Sequence, residues 1–284
     1  MNRKIGFMQG RLSDQVEGKI QAFPWQSWET EFPVAATLDL HLVEWTLDQD
    51  RLSKNPLMTE DGQKRIRELC HKFNISVPSL TGDCFMQAPF WKVSGKVRTQ
   101  LQEDFLAIAR AAAAVGIRLI IVPLVDNGRL ETIEQENVVV NYFCSVQNVL
   151  EECNVQVIFE SDYMPSNLRR FMARLPVRNF GVNYDIGNSA AFGFAPAEEI
   201  AAYGARIVNV HVKDRVLGGT TVPLSEGNAD FNTVFCALAQ HKYQGNFILQ
   251  TARAQNGNHA DALRRYRDMT HTWMHQSGLI AESQ

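Results

Sequence analysis

The sequence predicts an α/β fold, a (β/α)8 TIM barrel in which residues 1–284 form a single domain. Three observations carry that prediction. Eight short apolar runs recur along the chain, beginning near residues 4, 38, 75, 116, 155, 180, 206 and 246, each followed by helical spacing. The runs are nearly continuous in apolar residues, as strands covered on both faces should be. No Pro-, Gly- or Ser-rich linker divides the chain, and eight such units in under 300 residues suit a closed barrel. A doubly wound open sheet is the alternative, but the first run lacks a following GxGxxG.

In order, Lys4–Met8 is the first strand, leading into Gln9-Gly10-Arg11. A helix is expected from near Ser27, capped by its hydroxyl, with Glu29 and Glu31 in the first turn. LDLHLVEWT is the second run and ends around Glu44, with His41 as a local structural residue. Ile66, Leu69, Cys70 and Phe73 place a helix over Asp61–Phe73 before the third run, ISVPSLTGD. Leu101, Phe105, Ile108, Ala112 and Val115 mark a long amphipathic helix that Gly116 ends before GIRLIIVPL. Val138, Tyr142, Val146, Val149 and Cys153 are expected along one face of the next helix. VQVIFESD, NFGVNYDIGN and ARIVNVHVKD follow, with Pro196 opening the helix before the last of these. Asp230 is expected to cap the helix bearing Val234, Phe235 and Leu238. GNFILQTAR is the eighth run, and Ala260, Leu263, Tyr266 and Trp273 stripe the closing helix.

Composition narrows function. The formal net charge of -3 provides no basic field for nucleic acid or an anionic membrane surface. No apolar run approaches the roughly 18 residues of a membrane span, and MNRKIGFMQGRL is too short in apolar residues for a signal peptide. The five cysteines are odd in number and lack a CxxC pair, so free thiols in a reducing cytoplasm are expected.

Barrel active sites form where strands end. The C-terminal ends of the runs carry Glu44, Asp83, Asp126, Glu160, Asp185, His211 and Gln250. Glu160, Asp185 and His211 fall on three successive strands, and one imidazole with two carboxylates suits one divalent ion, Mn, Co, Zn or Mg. Gln250 offers a neutral fourth oxygen; a hydrogen-bonded polar plug is the alternative for the same residues. Lys213, Arg215 and Arg253 are candidates to hold a substrate anion or the oxygen of an enediolate, or else to make salt bridges, Asp214 with a nearby Arg among them. Asn188 and Glu226-Gly227-Asn228 are both expected in loops on the same side. Phe23, Trp25, Trp28, Phe90 and Trp91 cluster in the first and third loops, where they would stack on a sugar or exclude water, or equally pack loop to loop or pair two copies in a homodimer.

With these residues in view, the whole chain resembles the xylose-isomerase-like TIM barrels, the sugar phosphate isomerase/epimerase superfamily. The motifs are IGFMQGRL, VEW at Glu44, FES at Glu160, NYDIGN at Asp185, HVKDR at His211–Arg215 and LSEGNADF at 224–231. The resemblance implies a small sugar or sugar phosphate as substrate and one metal held by Glu160, Asp185 and His211. It also implies a cis-enediolate mechanism in which one glutamate, here Glu160, removes a proton from carbon and a second returns it. The chain departs from that pattern at the eighth strand, where the second glutamate is Gln250, a side chain that takes no proton at neutral pH. Asn188 likewise stands where a histidine often follows. Single-base isomerisation, a lyase or dehydratase acting on a sugar acid, and a binding barrel without turnover are therefore carried beside epimerisation. Endonuclease-IV-like enzymes share the fold, but they need more strand-end histidines and a basic surface.

Overall fold

The computed structural model describes residues 4–280; Met1–Arg3 of the N-terminal stretch and residues 281–284 of the predicted domain lie outside the described residues. Eight parallel strands close into a barrel: β1 (Ile5–Met8), β2 (Leu42–Thr46), β3 (Ser76–Thr81), β4 (Leu119–Leu124), β5 (Gln156–Ser161), β6 (Phe180–Asp185), β7 (Ile207–Val212) and β8 (Asn246–Leu249). Each strand pairs with its sequence neighbour, and β8 returns to β1 through Ile5↔Phe247, Gly6↔Ile248 and Phe7↔Leu249. The second strand starts at Leu42, later than its apolar run, because Leu38 and Leu40 are instead buried in the turn that closes the first helix.

The helices follow as α1 (Glu31–Thr37), α2 (Glu60–Phe73), α3 (Asp83–Gln87), α4 (Gly95–Val115), α5 (Ile133–Ser145), α6 (Gln147–Cys153), α7 (Pro165–Ala173), α8 (Ile186–Phe192), α9 (Pro196–Tyr203), α10 (Phe231–Gln240) and α11 (His259–Gln276). The expected caps at Gly116 (φ +88°) and Asp230 are present; the Asp230 carboxylate accepts from Thr233 N at 3.0 Å.

Four local expectations are corrected. The first helix begins at Glu31, and Ser27 caps nothing: its hydroxyl meets Ser13 Oγ at 2.9 Å within a run of turns. Glu31 reaches back instead, accepting from Gly10 N, Leu12 N and Ser13 Oγ, so its carboxylate holds the loop after β1. The helix over Val138–Cys153 is two helices that meet at Val146, and of the expected face only Val146 is buried, together with Val139, Val140, Phe143 and Leu150. Finally, Asn188 lies in a helix, since α8 starts directly after β6. Among the described residues no helix is long and apolar enough to cross a membrane, and all five cysteines are free.

Candidate active site

The polar residues of the strands converge inside the barrel. Asp185 ends β6, and its register partner on β7 is His211. Asn183 and Asn209 each precede these by two residues, so the period-2 alternation of a strand puts them on the same inner face. Asn209 Nδ2 donates to Asn183 Oδ1 at 2.9 Å and, across the barrel, to Glu44 Oε2 at 3.1 Å. Ser79 and Thr81 donate from β3 to the same carboxylate at 2.7 and 2.6 Å.

Glu44 fixes the histidine. Its Oε1 lies 2.7 Å from His211 Nε2, and both residues are 0% exposed. The other ring nitrogen, Nδ1, faces Glu160 Oε2 at 3.2 Å and Asp185 Oδ2 at 3.8 Å. Burial works against the imidazolium, but the Glu44 charge and the hydrogen bonds of Asp185, Glu160 and Glu44 raise His211 well above its ordinary pKa. Glu44 sits in the mirror situation: burial pushes it up, and His211, Thr81 and Ser79 bring it below the ordinary carboxylate range.

Asp185 divides its two oxygens. Oδ1 accepts from Asn188 N at 2.8 Å and caps α8, while Oδ2 is 3.2 Å from Lys213 Nζ. Burial opposes ionisation here too, yet the charges of Lys213 and His211, with their hydrogen bonds, hold Asp185 down at about 2. Gly187 permits this packing, for a Cβ there would stand 2.6 Å from Lys213 Cγ. Asn188 bridges the site: Nδ2 donates to Glu160 Oε1 at 2.7 Å, and Oδ1 accepts from Lys213 Nζ at 3.1 Å and Arg215 Nη1 at 2.9 Å.

Above this network lies a cavity of about 290 Å³, lined among others by Asp83, Glu160, Asn188, Lys213, Arg215 and Gln250. Gln21, from the loop after β1, donates to Asp83 Oδ2 at 2.6 Å and accepts from Gln250 Nε2 at 2.9 Å. Burial first, then the Asp48 charge, raises Asp83 to about 7.

Ligand atoms of Glu160, Asp185 and His211 lie within 4.8 Å of one another, and all three residues are buried. Two carboxylate oxygens and an imidazole nitrogen whose far side is held by a carboxylate form a donor set suited to a divalent ion. Gln250 adds a second observation. Its Oε1 is buried in the wall of the same cavity and has no hydrogen-bond partner, although the Nε2 of the same amide does. An orphaned buried acceptor is costly unless something fills it, so the residues present fit a metal.

Several sequence candidates sit elsewhere. Glu44, expected on the substrate side, is fully buried against His211 and is not part of the cavity lining. The Arg253 guanidinium donates to the carbonyls of Gly10, Ser13 and Ile20 and acts as a strut between loops. Among the described residues Asp214 makes no ion pair; it accepts the backbone N–H groups of Ser225, Gly227 and Ala229. Arg215 does reach Asn188, and its Nε and Nη2 also hold Gly219 O.

Trp91 is 2% exposed and donates Nε1 to Gly128 O at 3.0 Å within a cluster containing Phe90, Tyr142 and Phe143. Trp25 packs on Phe23 and under the Arg51 guanidinium, 4.4 Å away, outside the cavity wall. Phe23, Trp28 and Phe90 are buried like Trp91, so these four rings are not free to stack on a sugar or a second copy; Trp25 is half-buried and lines a separate cavity with Arg51 and His259. Asn183 and Asn209 were overlooked in the sequence, although an asparagine two residues before each strand-end ligand was the available signal.

Comparison with known proteins follows the same line. A family model described as xylose isomerase-like TIM barrel matches residues 32–269. L-ribulose-5-phosphate 3-epimerase UlaE of Escherichia coli (strain K12 / DH10B) is 26% identical over 267 residues, covering 90% of this chain and 93% of that protein. The corresponding protein of Salmonella heidelberg (strain SL476) is 25% identical over 270 residues, with the same coverage, 90% and 93%. Among solved structures, D-psicose 3-epimerase of Clostridium cellulolyticum H10, in complex with D-tagatose, superposes with a TM-score of 0.75 at 13% identity, covering 95% of this chain and 99% of that one. The IOLI protein with a bound zinc atom superposes at 0.77, again with 13% identity, covering 96% and 99%.

Proposed function

Because the chain belongs to the xylose isomerase-like TIM barrel family, we propose that it is a divalent-metal-dependent epimerase or isomerase of a small ketose or its phosphate. The observation that carries this reading is the convergence of Glu160, which lines the cavity, with the buried Asp185 and His211, whose Nε2 is held by Glu44. The names of the curated relatives, which are sugar-phosphate epimerases, support it.

Glu160, Asp185, His211 and the free Oε1 of Gln250 would hold the ion, which when bound supplies positive charge that lowers the cost of developing negative charge on the sugar oxygens. Glu160 is the base that takes a proton from the carbon beside the carbonyl. Asn183 Nδ2 and Asn188 Nδ2 donate to its two oxygens at 2.8 and 2.7 Å and fix its orientation. Lys213 lines the same cavity and offers N–H donors to an oxygen that gains charge as the proton leaves.

Gln250 has no acidic proton to give, so epimerisation needs another acid to reprotonate the opposite face. Asp83 is the candidate for that role. It lines the cavity, is joined to Gln250 through Gln21, and holds its proton up to about 7 because it is buried. Incubation with ketopentoses, ketohexoses and their phosphates in deuterated buffer with added Mn, Co, Zn or Mg tests the reading. Deuterium at the carbon beside the carbonyl, lost on chelation, is expected; absence of exchange with every substrate and metal would overturn it in favour of a lyase or a binding barrel.

A further inference from the structure

Beside the central cavity lies a second one of about 280 Å³, and the two share Ile20, Thr220 and Thr221 in their walls. Its lining includes two arginines, Arg11 and Arg253, and three threonines, and carries no acidic residue.

Two buried polar atoms in this wall lack partners. Arg11 is 4% exposed; Nη1 donates to Ile20 O at 3.2 Å and Nη2 to Gln21 Oε1 at 3.4 Å, but Nε has no partner. Thr251 is 2% exposed, and its Oγ1 also has none. Among the described residues no carboxylate is within ion-pair distance of Arg11. Burial first, then the Arg253 charge, lowers Arg11 to about 9, and Asp83, Glu31 and Asp185 offset this only from beyond ion-pair distance, so an anion at the unpaired Nε would be favourable. Arg253 adds positive charge while its own donors are engaged by backbone carbonyls. The position is suitable as well: Thr220 and Thr221 follow β7, Thr251 and Arg253 follow β8, and in barrels these two loops frequently form a phosphate site.

We propose that this second cavity receives the phosphate group of a phosphorylated sugar whose carbonyl end lies over Glu160, with Arg11 Nε and Thr251 Oγ1 as donors to it. The inference rests on the central cavity being a sugar site, and it narrows the substrate to a phosphate ester. Arg11 is the selective element, since a guanidinium matches phosphate geometry, and Thr251 contributes a neutral donor.

Calorimetric titration with inorganic phosphate tests the subsite without requiring turnover. The full chain should bind phosphate. The nearly isosteric Thr251→Val, as well as Arg11→Met, should weaken binding about tenfold or more, the effect of losing one hydrogen bond to a charged acceptor. Where turnover of ribulose 5-phosphate and ribulose is measurable, both variants should also reduce the preference for the phosphorylated substrate. No phosphate binding, or equal binding by both variants, overturns the subsite, because any bound phosphate then sits elsewhere. Binding lost in Thr251→Val with no sugar turned over would retain the anion site and remove the epimerase reading; turnover of ribulose without phosphate binding would do the reverse.

Discussion

The Nε2 of His211 rests 2.7 Å from a carboxylate oxygen of Glu44, and that contact turns Nδ1 of the same ring toward Glu160 and Asp185. The tautomer and direction of a metal-binding imidazole are set by what its other nitrogen touches. Glu44→Gln should therefore lower affinity for Mn or Zn by about 10- to 100-fold, measured by competition with a coloured chelator. Glu44→Ala, which also strands the donors of Ser79, Thr81 and Asn209, should in addition destabilise the fold by about 3–5 kcal/mol. Metal affinity in Glu44→Gln equal to that of the unaltered chain would mean the contact is structural only.

Glu160→Gln should reduce solvent exchange at the substrate carbon by about 10²- to 10⁴-fold. The amide keeps the volume of the side chain but can accept from only one of Asn183 and Asn188 in the present geometry. Gln250→Glu is the informative counterpart. Its carboxylate could no longer donate to Gln21 Oε1, so the Gln21 amide must turn and give up either its new partner or Asp83. Tighter metal binding is expected, with a changed ratio of epimerised to isomerised product read by NMR. An unchanged ratio would exclude position 250 from control of the outcome.

The barrel was legible because period and burial act locally: runs covered on both faces, Gly116 after a 21-residue helix and Pro196 at a helix start are one-dimensional signals. The convergence of Glu160, Asp185 and His211 followed from strand order alone. What failed depends on contacts distant in sequence. Glu44 and His211 are 167 residues apart, and nothing in VEW distinguishes a carboxylate facing substrate from one facing the underside of an imidazole. Trp91 sits in a loop segment, and only the fold reveals that α4 and α5 pack against that segment, with Phe90 between Trp91 and Phe143. Arg11 gave no signal because its meaning lies in an unpaired Nε.

Trp91→Ala separates core from site. The ring is in the core and its N–H is committed to Gly128 O, so truncation should cost about 3–5 kcal/mol in urea unfolding. Metal affinity of the folded fraction should be unchanged. A small stability loss together with weaker sugar binding would return Trp91 to the substrate side.

The last prediction concerns pH, on chelator-treated protein so that only the chain titrates. Burial is the largest influence on both Asp83 and Glu31 and raises each to about 7, from ordinary values of 3.8 and 4.5. Between those limits the folded chain retains protons that the unfolded chain releases, so stability falls as pH rises from about 4 to about 7. His211, raised by its carboxylate partners, acts in the same direction later: its contribution is full below about 6.5 and is lost as pH climbs through the higher folded value. Glu44 and Asp185, both depressed, stabilise above the ordinary carboxylate range and lose that contribution as pH falls through it. These opposing slopes place maximum stability at about pH 4, with a decline from there to about pH 7. Asp83→Asn keeps an acceptor for Gln21 and removes the titration, so its urea midpoint should decline less between pH 5 and pH 7 than that of the unaltered chain. Parallel declines in the two proteins would show that Asp83 is ionised throughout, and would remove it as the proton donor for the second face.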